Sequence, residues 1–159
     1  MQAIINRQLK SPLGDLKLSF KDSLLVGIAF TDPLFIEENQ KTPYIQKAID
    51  QLIRYFSGNL KTLTIPYQLS GTPFQNEVWN KLLDIPYGKT ISYGKLSTEL
   101  GDVKKVRAVT NAIARNPLPI IIPCHRVIGK NGNLAGYLGG LLKKEYLLRL
   151  EDESQLRLF

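Results

Sequence analysis

The chain is poor in the residues on which several common kinds of site depend. Its 159 residues include one cysteine and one histidine, which excludes an internal disulfide and leaves too few ligands for a zinc cluster. A fold without disulfides suits a reducing compartment. Because no signal peptide and no apolar run long enough to cross a bilayer are present, we expect a cytoplasmic protein without a membrane partner. We also expect no metal and no cofactor.

Acidic residues are in the minority, with 14 Asp and Glu against 21 Lys and Arg, which gives a formal net charge of +7. This excess favours a polyanionic partner such as nucleic acid, although it could serve only solubility. The hydrophobic content of 43% is that of an ordinary globular protein. The length fits one domain or two small ones.

The N-terminal half predicts a small α/β unit. Three β-favouring segments are separated by short turn sequences, which favours an antiparallel meander. The segments are residues 3–9, 15–20 and 24–30. From Thr42 to Phe56 the apolar residues follow a helical period, so a helix should cover the sheet. Residues 63–69 fit either a strand or a linker.

A domain boundary is predicted near Ser70. It separates an N-terminal scaffold domain over residues 1–69 from a C-terminal domain over residues 70–159. The C-terminal domain opens on a clear helix start, because Thr72 can serve as N-cap and Gln75 can complete a capping box.

Two short helices joined by a tight turn come next. Ser92 can cap a helix that Gly101 stops, and Asp102 can cap a second helix that runs to about residue 115. On the second helix one side is apolar, with Val103, Val106, Val109 and Ile113. Another side carries Lys104, Arg107, Asn111 and Arg115. That polar stripe fits either a solvated face or a recognition helix, whose cations would contact phosphates and whose Arg and Asn would contact bases.

The single cysteine and the single histidine are adjacent, at positions 124 and 125 of the run PIIIPCHRVI. An apolar run usually goes to the interior, where burial raises the pKa of a thiol and leaves it inert. Positive charge from His125 and Arg126 would instead favour the thiolate. The residues alone leave a packed and a reactive Cys124 both open.

The segment IPCHRV resembles the active-site signature of the O6-alkylguanine-DNA alkyltransferases, which move an alkyl group from damaged guanine onto their own cysteine. The resemblance covers residues 72–151 well and the N-terminal half only in layout. It implies a ribonuclease-H-like α/β unit followed by a mostly α, winged-helix or helix-turn-helix-like domain. It also implies irreversible, single-turnover DNA repair of O6-alkylguanine, and of O4-alkylthymine, after the damaged nucleotide is flipped out of the duplex.

The same resemblance implies the catalytic residues. Cys124 would be the nucleophile and methyl acceptor, and His125 its base, directly or through a water molecule. Glu151 would orient the histidine, and Asn116 would support the active-site turn.

Contacts with DNA and with the base also follow from the resemblance. A monomer would bind double-stranded DNA through the minor groove, where Arg107 takes the place of the extruded guanine. Tyr93 would crowd the phosphate beside that nucleotide. The base pocket would consist of Tyr93, Val127, Gly136, Tyr137 and Leu138, with the Val127 carbonyl accepting from the guanine amine. Leu138 stands where many relatives have a serine, which leaves the range of alkyl groups open.

Three other functions compete with this one. A lesion-binding module without chemistry would need no cysteine. A DNA-binding regulator would use the helix-turn-helix and leave the Cys-His run idle. A Cys-His hydrolase has suitable residue types, but it must regenerate its thiol, and a thioether does not.

Overall fold

Three strands form the antiparallel meander that the sequence predicts. In the computed structural model, which describes residues 3–30, 42–134 and 136–152, the strands are β1 (Ile5–Ser11), β2 (Gly14–Lys21) and β3 (Leu24–Phe30). They pair in the order β1-β2-β3, with tight turns between them. Residues 63–69 add one parallel bridge, between Tyr67 and Leu25 of β3.

The predicted helix is α1 (Pro43–Phe56), and it covers this sheet. It buries a stripe that includes Ile45, Ala48 and Leu52, and the Tyr44 ring packs edge-on against Phe20 of β2 at 5.8 Å. The core of the N-terminal unit therefore lies between α1 and one face of the sheet.

The chain divides into two compact units, Met1–Leu69 and Ser70–Phe159. The second opens on α2 (Pro73–Leu82), whose capping box is present because Thr72 and Gln75 each accept from the other's backbone N–H. On the buried face of α2, the Trp79 indole donates to the Ala112 carbonyl at 2.8 Å. This bond fixes α2 against the helix that carries Ala112.

The helix-turn-helix is confirmed, with one local correction. Ser92 caps α3 (Tyr93–Glu99), and Gly101 takes the left-handed conformation in the turn, with φ of 110°. Asp102 accepts from the Lys104 N–H at 2.8 Å, but it opens a 3₁₀ turn, Val103–Lys105, before α4 (Val106–Ala114) begins. Val103 was placed on the apolar side and is instead 56% exposed, because it precedes the α-helical period of α4.

A two-residue parallel pairing joins the helix-turn-helix to the Cys-His segment. In it β4 (Ile91–Ser92) lies beside β5 (Val127–Ile128), directly before α3 and directly after residues 124–126. The last helix is α5 (Leu141–Glu151), which buries Lys144, Leu147 and Glu151. Within the described residues, no helix is long and apolar enough to cross a membrane.

Candidate active site

A strained turn leads into the cysteine. Ile120 has φ of 79°, in the left-handed region that costs a β-branched residue about 1–3 kcal/mol. Asn116 holds this turn from inside, since its Nδ2 donates to the Ile122 carbonyl at 2.8 Å and its Oδ1 accepts from the Leu118 N–H at 2.9 Å. Asn116 is buried, and its two hydrogen bonds lie within the turn that it was predicted to support.

Cys124 leaves this turn in a fixed direction. Pro123 has the dihedral angles of an inverse γ-turn, φ −79° and ψ 63°, and the Cys124 N–H donates to the Ile122 carbonyl at 2.7 Å. Cys124 then begins a 3₁₀ turn that also contains His125 and Arg126, all three buried. In this turn Cys124 and its two neighbours need not alternate between opposite faces, as they would on a strand.

The side chains of His125, Arg126 and Glu151 form one buried cluster. Glu151 Oε2 lies 2.8 Å from His125 Nε2, and both Glu151 oxygens accept from the Arg126 guanidinium, at 2.7 and 3.0 Å. Arg126 also donates to the Ile85 carbonyl at 2.6 Å. Glu151, one helix carboxylate among several in the sequence, is thus the carboxylate that contacts the histidine.

Charges in this cluster determine the tautomer of His125. Burial would raise the pKa of Glu151, but hydrogen bonds from His125 and Arg126 outweigh it and lower that pKa to about 2. Burial lowers the pKa of His125, against the effect of Glu151. A neutral imidazole facing a carboxylate must donate from Nε2, because a carboxylate only accepts. The buried Nδ1, which has no hydrogen-bond partner among the described residues, is then able to take up a proton.

The sequence left open whether neighbouring cations outweigh burial in setting the pKa of Cys124, and burial has the larger effect. Burial raises the pKa of Cys124 to about 11, although the Asn116 side chain and Lys144 act in the opposite direction. The Arg126 guanidinium is directed at Glu151 and binds that carboxylate through two nitrogens. Cys124 is therefore a neutral thiol at rest and must lose its proton as it reacts.

A cavity of about 720 Å³ lies against Cys124. Four of the five residues predicted for a base pocket line this cavity, namely Tyr93, Gly136, Tyr137 and Leu138. The fifth, Val127, is not among its lining residues, which also include the apolar α4 residues Val106, Ile113 and Ala114. Burial raises the pKa of both tyrosines, so their hydroxyls stay protonated. The volume and the apolar walls suit a planar base carrying an apolar group.

Lys144 is a site residue that sequence reasoning missed. Its side chain is fully buried, and its Nζ donates to the Val127 carbonyl at 2.5 Å. The carbonyl that we assigned to the guanine amine therefore already accepts one charge-assisted hydrogen bond, and a base could use only its second lone pair. Lys144 stands in a run of charged residues, KKE, and no signal in the sequence separates it from the exposed lysines.

Three of the five predicted DNA-contacting residues lie together, and a fourth, Tyr93, lines the cavity instead. Lys104, Arg107 and Asn111 line an open groove on α4, and Val106 and Thr110 line both this groove and the cavity beside Cys124. Arg115 is exposed at the end of α4, outside the residues that line the groove. The groove and the cavity thus meet at one helix.

Both halves of the chain match models of one family. Residues 4–69 match "6-O-methylguanine DNA methyltransferase, ribonuclease-like domain", and residues 73–153 match "6-O-methylguanine DNA methyltransferase, DNA binding domain".

Individual relatives agree over nearly the full length. The methylated-DNA–protein-cysteine methyltransferase of Mycobacterium leprae is 42% identical over 156 residues, 94% of this chain and 93% of that protein. The constitutive enzyme of the same name from Bacillus subtilis is 39% identical, over 91% and 93%. The crystal structure of Mycobacterium tuberculosis OGT in complex with DNA superposes with a TM-score of 0.83 at 41% identity, covering 92% of each chain.

Proposed function

This chain belongs to the 6-O-methylguanine DNA methyltransferase family, and on that premise we propose that Cys124 receives the alkyl group. The protein repairs DNA by transferring alkyl groups from the damaged base to a cysteine of its own. Its sequence holds one cysteine, and that residue lines the cavity and precedes a histidine bound to a buried carboxylate. This placement is the observation that carries the assignment.

The cluster around Cys124 suggests how the proton moves. His125 Nδ1 takes the thiol proton, directly or through a water molecule, and the resulting imidazolium is stabilised by Glu151. The sulfur attacks the alkyl carbon, so that an S–C bond forms as the C–O6 bond breaks. Guanine leaves as the neutral base once it has regained a proton, and the thioether remains. Each protein molecule therefore reacts once.

The decisive test is the intact mass of the protein after incubation with duplex DNA that contains O6-methylguanine. We expect one added methyl group per molecule, and peptide mapping should place it on Cys124. Undamaged duplex of the same sequence is the control. An unchanged mass despite preferential binding of the damaged duplex would favour a lesion-binding module. Restoration of many guanines in the duplex per protein molecule, with methanol as the other product, would favour a hydrolase.

We propose that α4 enters the minor groove and that the damaged nucleotide turns out into the cavity. Three observations support this: the groove that holds Arg107 adjoins the cavity on α4, Cys124 is buried, and O6 of a stacked guanine is out of reach of a buried thiol. Tyr93 lines the cavity from α3, where it can crowd the backbone of an extruded nucleotide. O4-alkylthymine presents the same kind of alkyl ether and is the second substrate that we propose.

On this proposal the two units have different roles. The C-terminal unit carries both the DNA contacts and the chemistry, and the N-terminal unit is a scaffold. One chain supplies every group that the reaction needs, so we propose that the monomer is active. We place it in the cytoplasm, where a lone thiol stays reduced.

Arg107→Ala tests whether Arg107 acts in extrusion of the base and not in the transfer of the alkyl group. We expect repair of the damaged duplex to slow by about tenfold or more, because the space left by the flipped base is no longer filled. Reaction with free O6-benzylguanine should change little, since no duplex is opened. Single-turnover rates with each substrate make the comparison.

Arg54→Ala is the matched control for Arg107→Ala. Arg54 is exposed on α1, in the other unit, so this variant loses the same charge without touching the groove. Equal losses on duplex and free base in the Arg107 variant would contradict a role in flipping.

A further inference from the structure

The groove on α4 is lined by side chains with different hydrogen-bonding abilities. Lys104 and Arg107 only donate, and Val106 is apolar. Among the described side chains that line the groove, Thr110 and Asn111 are the two that carry an acceptor atom. A donor on a bound duplex can therefore be recognised by these two residues and not by the cations beside them.

The two acceptors are not equally available to a duplex. The Thr110 hydroxyl donates to the Val106 carbonyl at 2.7 Å, one turn earlier in α4, and this bond holds its oxygen against the helix backbone. Asn111 is exposed, and its carboxamide makes no hydrogen bond with the described part of the chain. The Asn111 amide is therefore able to turn either its oxygen or its NH2 group toward a bound duplex.

Asn111 follows Arg107 by one helical turn. Residues at i and i+4 lie on the same side of a helix, about 6 Å apart along its axis, and both side chains line the groove. Stacked base pairs are about 3.4 Å apart. With Arg107 in the place of the extruded guanine, as proposed above, Asn111 faces the base pair next to the lesion or the pair beyond it.

The minor groove presents few differences between base pairs that a protein can detect. Every base pair offers acceptors there, and a G·C pair adds one donor, the N2 amino group of guanine. Lysine and arginine find an acceptor at any pair, so their hydrogen bonds do not distinguish the pairs. An amide oxygen can accept from the guanine amino group, and it therefore distinguishes a G·C neighbour from an A·T neighbour.

We propose that Asn111 is a specificity-determining residue, whose Oδ1 accepts from the N2 amino group of a guanine near the lesion. The protein then repairs damage next to G·C pairs faster than damage next to A·T pairs. The inference rests on the proposed function, because it takes α4 to lie in the minor groove with Arg107 at the lesion. It makes repair depend on the sequence around the damaged base, which the chemistry at Cys124 does not require.

Inosine in place of a neighbouring guanine tests this role, because inosine lacks the N2 amino group and retains the major-groove edge of guanine. Duplexes with O6-methylguanine next to G·C or I·C pairs, at the first and second positions on either side, compete for a limiting amount of protein. The mass of each damaged strand shows how much methyl it has lost. We expect Asn111→Ala to lower the preference for G·C about threefold or more, the effect of one neutral hydrogen bond. Because both proteins meet the same duplexes, the weaker pairing of inosine cancels.

Lys104→Ala is the matched control, because it removes a donor from the same groove. It should slow repair of both duplexes alike and leave the preference for G·C unchanged. Thr110→Val removes the other acceptor and should also leave that preference unchanged. A preference that Asn111→Ala leaves unaltered or increases would overturn the proposal, and so would a preference that disappears in Thr110→Val.

A second set of duplexes carries 7-deazaguanine at the neighbouring positions, which removes the major-groove acceptor N7 and retains the N2 amino group. If Asn111→Ala altered the preference against 7-deazaguanine instead of that against inosine, α4 would lie in the major groove. That result would overturn both this proposal and the docking that we propose. Failure of the wild-type protein to take a methyl group from any duplex would instead count against the proposed function.

Discussion

Cys124→Ala should abolish alkyl transfer completely and leave binding to damaged duplex intact. Alanine retains the backbone of the 3₁₀ turn and opens a small space at the wall of the cavity, while the α4 residues that we propose to contact DNA lie on the adjoining groove. The measurements are intact mass after prolonged incubation with O6-methylguanine duplex and a binding isotherm on the same duplex. Loss of all adduct with unchanged affinity is the expected pair of results.

A methyl adduct on the alanine variant would contradict the assignment, since it would show a second acceptor. Cys124→Ser provides a useful comparison, because a hydroxyl has nearly the shape of the thiol and far weaker nucleophilicity at neutral pH. It should bind as the alanine variant does and also gain no methyl group. Loss of binding in both variants would indicate that the turn had been disturbed.

Glu151→Gln should be the most destabilising of the substitutions considered. Glutamine retains the shape of the side chain but leaves the Arg126 guanidinium buried without a counter-charge. Removal of one member of a buried ion pair costs about 3–5 kcal/mol. Transfer should also slow by about a hundredfold or more, because His125 loses the group that fixes its tautomer and stabilises its protonated form. Urea unfolding and single-turnover kinetics measure the two effects.

The same residue should make the wild-type protein acid-sensitive in a defined range. The pKa of Glu151 falls from an ordinary value of 4.5 to about 2 in the folded protein, so the unfolded state binds the proton more tightly. Its contribution, about 3 kcal/mol, is fully present above about pH 4.5 and is lost as the pH falls toward 2. The difference in unfolding free energy between wild type and Glu151→Gln should shrink over that range.

Glu145→Gln is the control that shows how much of the lost stability comes from burial of the ion pair and how much from the ion pair itself. Glu145 accepts from Arg149 at 2.7 Å on the same helix, the distance that also joins Glu151 to Arg126. The Glu145 pair is exposed, and exposed pairs contribute about 0–1 kcal/mol. If Glu145→Gln and Glu151→Gln lowered the free energy of unfolding by similar amounts, burial would not explain the larger effect expected at Glu151.

Local signals in the sequence predicted many of the helix starts and the three-stranded meander. The caps at Thr72, Ser92 and Asp102 depend on residues two or three positions away, so they can be seen without a structure. The three β-favouring segments and their short turns likewise predicted the meander. The 3₁₀ start before α4 was missed, because a cap fixes where a helical turn begins and not which kind of turn it is.

The chemistry of the site was harder to predict from sequence. The motif around Cys124 identified the family. However, Arg126 contacts Ile85, 41 positions away, and Lys144 contacts Val127, 17 positions away, and only the folded chain determines such contacts. The balance between burial and neighbouring charge at Cys124 could not be settled from sequence for the same reason. The Arg126 guanidinium, two positions after Cys124 in the sequence, binds Glu151 in the folded chain. Burial then has the largest effect on the pKa of the Cys124 thiol.

The position of α5 has a consequence for the growing chain on the ribosome. A nascent protein that has emerged only to residue 140 possesses α3, α4 and Cys124, but neither Lys144 nor Glu151. Such an intermediate carries the α4 residues that we propose to contact DNA, together with a cysteine whose neighbouring histidine has no carboxylate partner from α5. Synthesis order therefore supplies α5 last, so that the cluster of His125, Arg126 and Glu151 can form only after that helix has been made.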